Sequence, residues 1–225
     1  MDTRPSSGPG TARTEMTATI MKLRPGDHVC SLYETDEQLT TTVARFLADG
    51  LARNEQCWYV PCADEVAAIR KALKHRGVDV EAETKRSALR LLDSNDTYTV
   101  HGGFDPEQTM RVFSEAIEQA LTDGFNGFRA AADMSWALDV ANGAEAVITY
   151  EALLRMLFAN SPATGLCLYD KRRMPLQVIN GALLTHPIID AAAGFMVNGA
   201  YDPAVRVLAD VDLSASIPRR RLRRG

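Results

Sequence analysis

His28 and Cys30 stand two residues apart in the apolar run HVCSLY. If that run is a strand, imidazole and thiol share one face, and either group can ligate a metal or join redox chemistry. Cys57, Cys167 and His186 are the further donors that a sheet could bring beside them. No CxxC or HxxxH pair accompanies them, so packing of small buried thiols is the competing reading. Arg129 is the next unusual group, a cation inside the apolar run GFRAAAD. A charge there requires a partner, and Asp133 and Glu151 are the candidates. Tyr150 and Glu151 adjoin within a helical stretch. Trp58 and Trp136 could stack on a planar ligand, although aromatic rings more often serve as core.

The segments that must position these groups alternate between two patterns. Apolar runs at Val29–Tyr33, Cys57–Val60, Leu89–Leu92, Phe128–Met134 and Gly165–Tyr169 read as strands. Their near-continuous hydrophobicity is that of parallel strands covered on both faces. Between them lie helical periodicities. Thr35 and Gln38 form a capping-box pattern ahead of Leu39, Val43, Phe46, Leu47 and Leu51. A second helix is expected over 64–76, ended by Gly77. Asp105 and Pro106 open a third, a fourth runs over 144–158, and a short fifth over 177–184. Gly194–Asn198 and Val205–Leu213 have the short alternation of a closing hairpin. The expected fold class is α/β, with a mainly parallel sheet, helices on both faces and a short β extension at the C-terminal end. Residues 1–21 read as a flexible leader, 22–213 as a single domain, and 214–225 as a mobile arginine-rich tail.

In such a sheet, ligands bind beyond the carboxyl ends of the strands. Those ends supply Tyr33 and Glu34, Cys62, Asp93, Asp133 to Trp136, and Tyr169 and Asp170 with Arg172 and Arg173. The first strand-to-helix connection, SLYETDEQL, contains neither glycine nor lysine. A phosphate loop needs both, to bare backbone N–H groups and to add a cation. Glu34, Asp36 and Glu37 instead crowd the helix N-terminus, where they satisfy its positive end and repel polyphosphate. ATP hydrolysis by the phosphate-loop route is therefore not expected.

In order along the chain, HVCSLY (28–33), FLADGL (46–51), DMSW (133–136), YE (150–151), LCLYD (166–170) and THP (185–187) resemble the MEDS domain. That family comprises sensory domains of methanogens and methylotrophs and of the dichloromethane-response regulator. The resemblance spans roughly residues 22–192. It implies a RecA-like, KaiC-like fold whose Walker A loop has been lost, and a sensory or regulatory role without catalysis. It implies no catalytic set. A ligand site would draw on His28, Cys30, Tyr33, Glu34, Arg129, Asp133, Trp136, Tyr150, Glu151, Tyr169, Asp170 and His186. The company the family keeps points to a signalling partner, such as an anti-sigma kinase or an anti-sigma antagonist, in a partner-switching circuit. The other readings are an enzyme on the degenerate scaffold, and a metal, haem or thiol redox sensor. No resident cofactor is expected under the leading reading.

Charge and composition set the remaining bounds. Five arginines fall within residues 219–224, so a net charge of −4 conceals a more acidic body. An acidic body disfavours nucleic acid as a partner of the folded part. No run approaches the ~18 apolar residues of a membrane span, and MDTRPSSGPGTARTEM (1–16) lacks the apolar stretch of a secretory signal. A cytoplasmic location and no membrane partner are expected, and an edge strand leaves a homodimer open.

Overall fold

The computed structural model describes residues 21–62, 65–92, 104–140, 143–191 and 194–203. Seven strands form one sheet in the order β3-β2-β4-β5-β1-β6-β7. In chain order they are β1 (His28–Tyr33), β2 (Glu55–Val60), β3 (Leu89–Leu91), β4 (Gly127–Asp133), β5 (Ala163–Asp170), β6 (Ile188–Ala191) and β7 (Gly194–Val197). All pairings are parallel except β6 with β7. Every residue of β2, β4 and β5 is buried, as an apolar strand covered on both faces should be.

The helices are α1 (Asp36–Ala52), α2 (Val66–His75), α3 (Val80–Lys85), α4 (Pro106–Thr122), α5 (Gly143–Ala159) and α6 (Leu176–Thr185). A 3-10 turn, Met134–Leu138, follows β4. From β1 the chain moves outward through β2 to β3, then back through β4 to β5 and on to β6. Right-handed crossovers place helices on opposite faces when the direction of travel reverses. Accordingly α1 and α2 pack together, and α4, α5 and α6 form the other layer. Among the described residues no helix is long and apolar enough to cross a membrane.

Local chemistry explains the starts of α1 and α4. Thr35 accepts from the Gln38 amide while the Gln38 side chain accepts from the Thr35 amide, the reciprocal cap expected from the sequence. Asp105 caps α4 with Pro106 in its first turn. Thr35→Ala removes the first of these caps; urea unfolding is expected to register a loss of about 1 kcal/mol with an unchanged m-value.

Three departures from the sequence-based reading are local. The six-residue α3 has an Asp79 cap but is too short for a periodic stripe. Asp133 caps the 3-10 turn through the Ser135 amide, so β4 ends one residue earlier than expected. β7 pairs with Ile188–Ala191, immediately upstream; the expected partner segment, Val205–Leu213, lies outside the described residues, as do residues 1–20 of the 1–21 leader, Asp93 and the tail.

Candidate functional site

Helix α5 carries Val147, Glu151, Leu154 and Phe158 on one buried stripe, the i, i+4, i+7 spacing of a core face. Three are apolar. Glu151 is 0% exposed, and a lone carboxylate at such a depth costs several kcal/mol unless it is compensated. The sheet beneath supplies the compensation. Glu151 Oε2 lies 3.2 Å from His28 Nε2 and 3.2 Å from His186 Nε2. Tyr169 donates its hydroxyl to Oε1. The Cys167 thiol is 3.5 Å from Oε2 and 3.3 Å from His28 Nε2.

Strand order assembles this cluster. β1 lies between β5 and β6, so His28 faces Gly165, Cys30 pairs with Cys167, and the chain entering β6 delivers His186 beside His28. The two imidazole centroids are 3.9 Å apart. His186 is fixed from behind, where its Nδ1 is 2.7 Å from the Ala182 carbonyl that closes α6. Asn198 donates to the carbonyls of Leu183 and His186 and holds that turn.

Burial governs the ionisation of the group. It lowers the His28 pKa to about 4, assisted by the neighbouring His186. For Glu151 burial acts upward, yet the two histidines, His186 first, outweigh it and hold the carboxyl well below the usual range. The Cys30 and Cys167 thiols and the Tyr169 hydroxyl are all pushed up, by burial first and by Glu151 second. Donor atoms of His28, Glu151, Cys167 and His186 all lie within 4.8 Å of one another, so these four residues could hold a metal ion.

The expected site residues thus divide into separate groups. His28, Cys30, Glu151, Tyr169 and His186 meet under α5, below the layer of helices and away from the strand ends. Tyr33, Glu34, Asp133 and Asp170 do lie at the strand ends, where they bind one another or nearby cations. Tyr33 donates to Asp133 at 2.6 Å. Glu34 pairs with Lys171, and Arg172 bridges Asp170 and Asp36, at 2.8 and 2.9 Å. Hydrogen bonds from Arg172 hold the Asp170 carboxyl low. Trp136 and Tyr150 form an aromatic group with Phe104, whose ring stacks on Trp136 at 4.1 Å.

Arg129 belongs to neither group. Its partners are not the anticipated Asp133 or Glu151 but Glu55, at 2.7 Å, with Asp49 and the Phe46 carbonyl completing the set. The register explains this, because β2 and β4 are neighbours and Cys57 faces Arg129. Cys62 is half-buried and donates to the Asp133 carbonyl; burial first, then Asp133, pushes its thiol up, the reverse of what activates a redox cysteine.

Two features were missed in the sequence. Cys167 was visible as a metal-donor candidate yet lacked a place in the expected ligand site. The cleft between α1 and β6, about 440 Å³, takes Tyr33 from the expected site, but its other polar lining, Ser31, Thr35, Gln38, Thr42, Arg45 and Asp190, was not anticipated as a site. Its centre is Asp190, which accepts from Thr42 at 2.7 Å, from Ser31 at 3.3 Å and from Arg45.

Comparison with known proteins places this arrangement. The family model described as the methanogen/methylotroph, DcmR sensory domain matches residues 27–187. The chain belongs to the MEDS family. No curated protein matches it. Among solved structures, a KaiC-like protein from the hyperthermophilic archaeon Pyrococcus horikoshii OT3 superposes with a TM-score of 0.53. That match has 16% identity and covers 73% of this chain and 71% of the other. At that identity the likeness shows the fold alone, which is RecA-like. The MEDS match begins one residue before β1 and ends one before β6, so it encloses all four donors of the buried cluster.

Proposed function

We propose that this MEDS protein is a non-enzymatic sensor or regulator that binds a small ligand, a signalling protein, or both. The observation that carries the reading is the occupied corner between β1 and α1. Where a RecA-like ATPase would receive polyphosphate, the connection offers Glu34 and Asp36, engaged by Lys171 and Arg172. These ion pairs are exposed and stabilise little. Their consequence is electrostatic: carboxylates already occupy the positive end of α1, and Asp133 accepts from Tyr33 and the Ser135 amide instead of serving a nucleotide-bound cation.

The α1–β6 cleft is of a volume that suits a small organic molecule, and Arg45, Thr42 and Asp190 supply polar groups to orient one. A signalling partner, with an anti-sigma kinase or its antagonist as the first candidates, would then read the occupied state. Two measurements test this. Isothermal titration with ATP and Mg²⁺ is expected to give no binding heat and no phosphate release. Turnover that disappears in Asp133→Asn would overturn the non-enzymatic reading. Native mass spectrometry before and after mild denaturation is expected to show an organic mass lost on unfolding, or a retained partner from the native host; a bare chain with neither would count against the sensory role.

A further inference from the structure

We propose that His28, Glu151, Cys167 and His186 bind one divalent transition-metal ion, zinc in the first instance, in a closed four-coordinate site beneath α5. The proposal is independent of the sensory reading, since it concerns a site away from both the nucleotide corner and the α1–β6 cleft.

Three observations carry it. The first is the spacing. Zinc bonds to nitrogen and oxygen at about 2.0–2.2 Å and to sulfur at about 2.3 Å, so donors sharing a tetrahedral ion lie about 3.3–3.8 Å apart. Four of the six edges are 3.2, 3.2, 3.3 and 3.5 Å, and all six lie within 4.8 Å, so a small closing movement seats the ion. The second is the direction of the lone pairs. With Nδ1–H of His186 donated to the Ala182 carbonyl, its Nε2 presents a lone pair to the cluster. That nitrogen lies 3.2 Å from Glu151 Oε2 but is poorly aligned for a hydrogen bond to it. A proton or a metal ion must lie between two such electron-rich atoms, and the poor alignment for a hydrogen bond favours the metal. The Tyr169 hydroxyl occupies Oε1 and leaves Oε2 to the cluster, so a backbone carbonyl and a phenol orient two of the four donors, as partners behind metal ligands do.

The third is charge. A divalent ion with one thiolate, one carboxylate and two neutral imidazoles makes a neutral unit, the form best suited to a site where all four residues are at most 3% exposed. Binding releases one proton, from the Cys167 thiol to solvent, as sulfur takes up the metal. Two nitrogens, one sulfur and one oxygen suit zinc and exclude calcium and magnesium, which require oxygen shells. Four protein donors leave no open position, which marks a structural or affinity-sensing ion and not a catalytic one.

The test uses the full chain. Purified protein is expected to carry close to one zinc per chain by elemental mass spectrometry. After chelation, Co²⁺ titration is expected to give tetrahedral visible bands and a thiolate charge-transfer band that saturate at one equivalent and vanish when Zn²⁺ is added. Cys167→Ser should lose the charge-transfer band, whereas Cys62→Ser should keep it. If chelation unfolds the protein, refolding that depends on zinc supports the proposal. Stripped protein that stays folded or refolds without taking up cobalt or zinc would overturn it, and so would a sulfur band that survives in Cys167→Ser.

Discussion

Arg129→Met is expected to lower the unfolding free energy by about 3–5 kcal/mol, the cost of leaving a buried charge without its partner. Arg129 is 0% exposed and Glu55 is 6% exposed. Its Nε donates to Glu55 at 2.7 Å, while one terminal nitrogen serves both the Phe46 carbonyl and Asp49. The guanidinium also lies over the Phe46 ring at 4.7 Å. Gly50 gives it passage, because a Cβ there would fall 2.8 Å from both Cδ and Nε of Arg129. Methionine retains much of the stem packing but abandons the Glu55 carboxylate in the sheet. Urea denaturation measures the loss directly. Adding Glu55→Met to the first change is expected to recover a large part of it, since a pair of apolar side chains avoids the desolvation that the ion pair must offset. A single-mutant loss below about 1 kcal/mol would mean that Glu55 escapes to water and that the pair is not a core element.

The second large effect is expected at Gly165, where valine should cost about 3 kcal/mol, the upper part of the overpacking range. A Cβ at this position would lie 2.2 Å from Cε2 and 2.5 Å from Cζ of Phe158. Neither side can yield easily. Gly165 is hydrogen-bonded between β4 and β1, facing Ala130 and His28, and the Phe158 ring is 2% exposed and 5.1 Å from the His28 ring. Phe158→Leu should relieve part of the clash. A double-mutant cycle between the two positions is thus expected to show a favourable coupling above about 0.5 kcal/mol. Simple additivity would place the strain elsewhere. Because Phe158 borders the histidine pair, the same substitution should also disturb the imidazole NMR signals of His28.

How far the sequence could be read follows from the range of each signal. The caps at Thr35 and Asp105 are written within four residues and were legible. So were the buried parallel strands, whose apolar runs admit few other readings. That His28 and Cys30 share a face needed only the two-residue period. What could not be read was which strands are neighbours. Arg129 finds Glu55 because β4 lies beside β2, and His186 finds His28 because β1 lies beside β6. No local pattern encodes either adjacency. Glu151 posed a further difficulty, since its helix delivers it to the sheet from above, and a helical stripe does not name the strand it covers. The α1–β6 cleft depends on Asp190, in a four-residue strand between β1 and β7, too short to leave a trace in periodicity.

The position of β1 has a consequence for how the protein is made. This first strand ends up in the interior of the sheet, between β5 and β6, and pairs with Leu166 and Ile188 through its own Val29. At a synthesis rate of about 5–20 residues per second, both partners emerge on the order of ten seconds after it does. For that interval HVCSLY is an unpaired, apolar strand with two open edges, a template for the wrong partner. Ribosome-bound chains stopped before β5 should therefore depend on chaperones, and the acidic first turn of α1 that follows β1 is the nearest charged brake on misassociation.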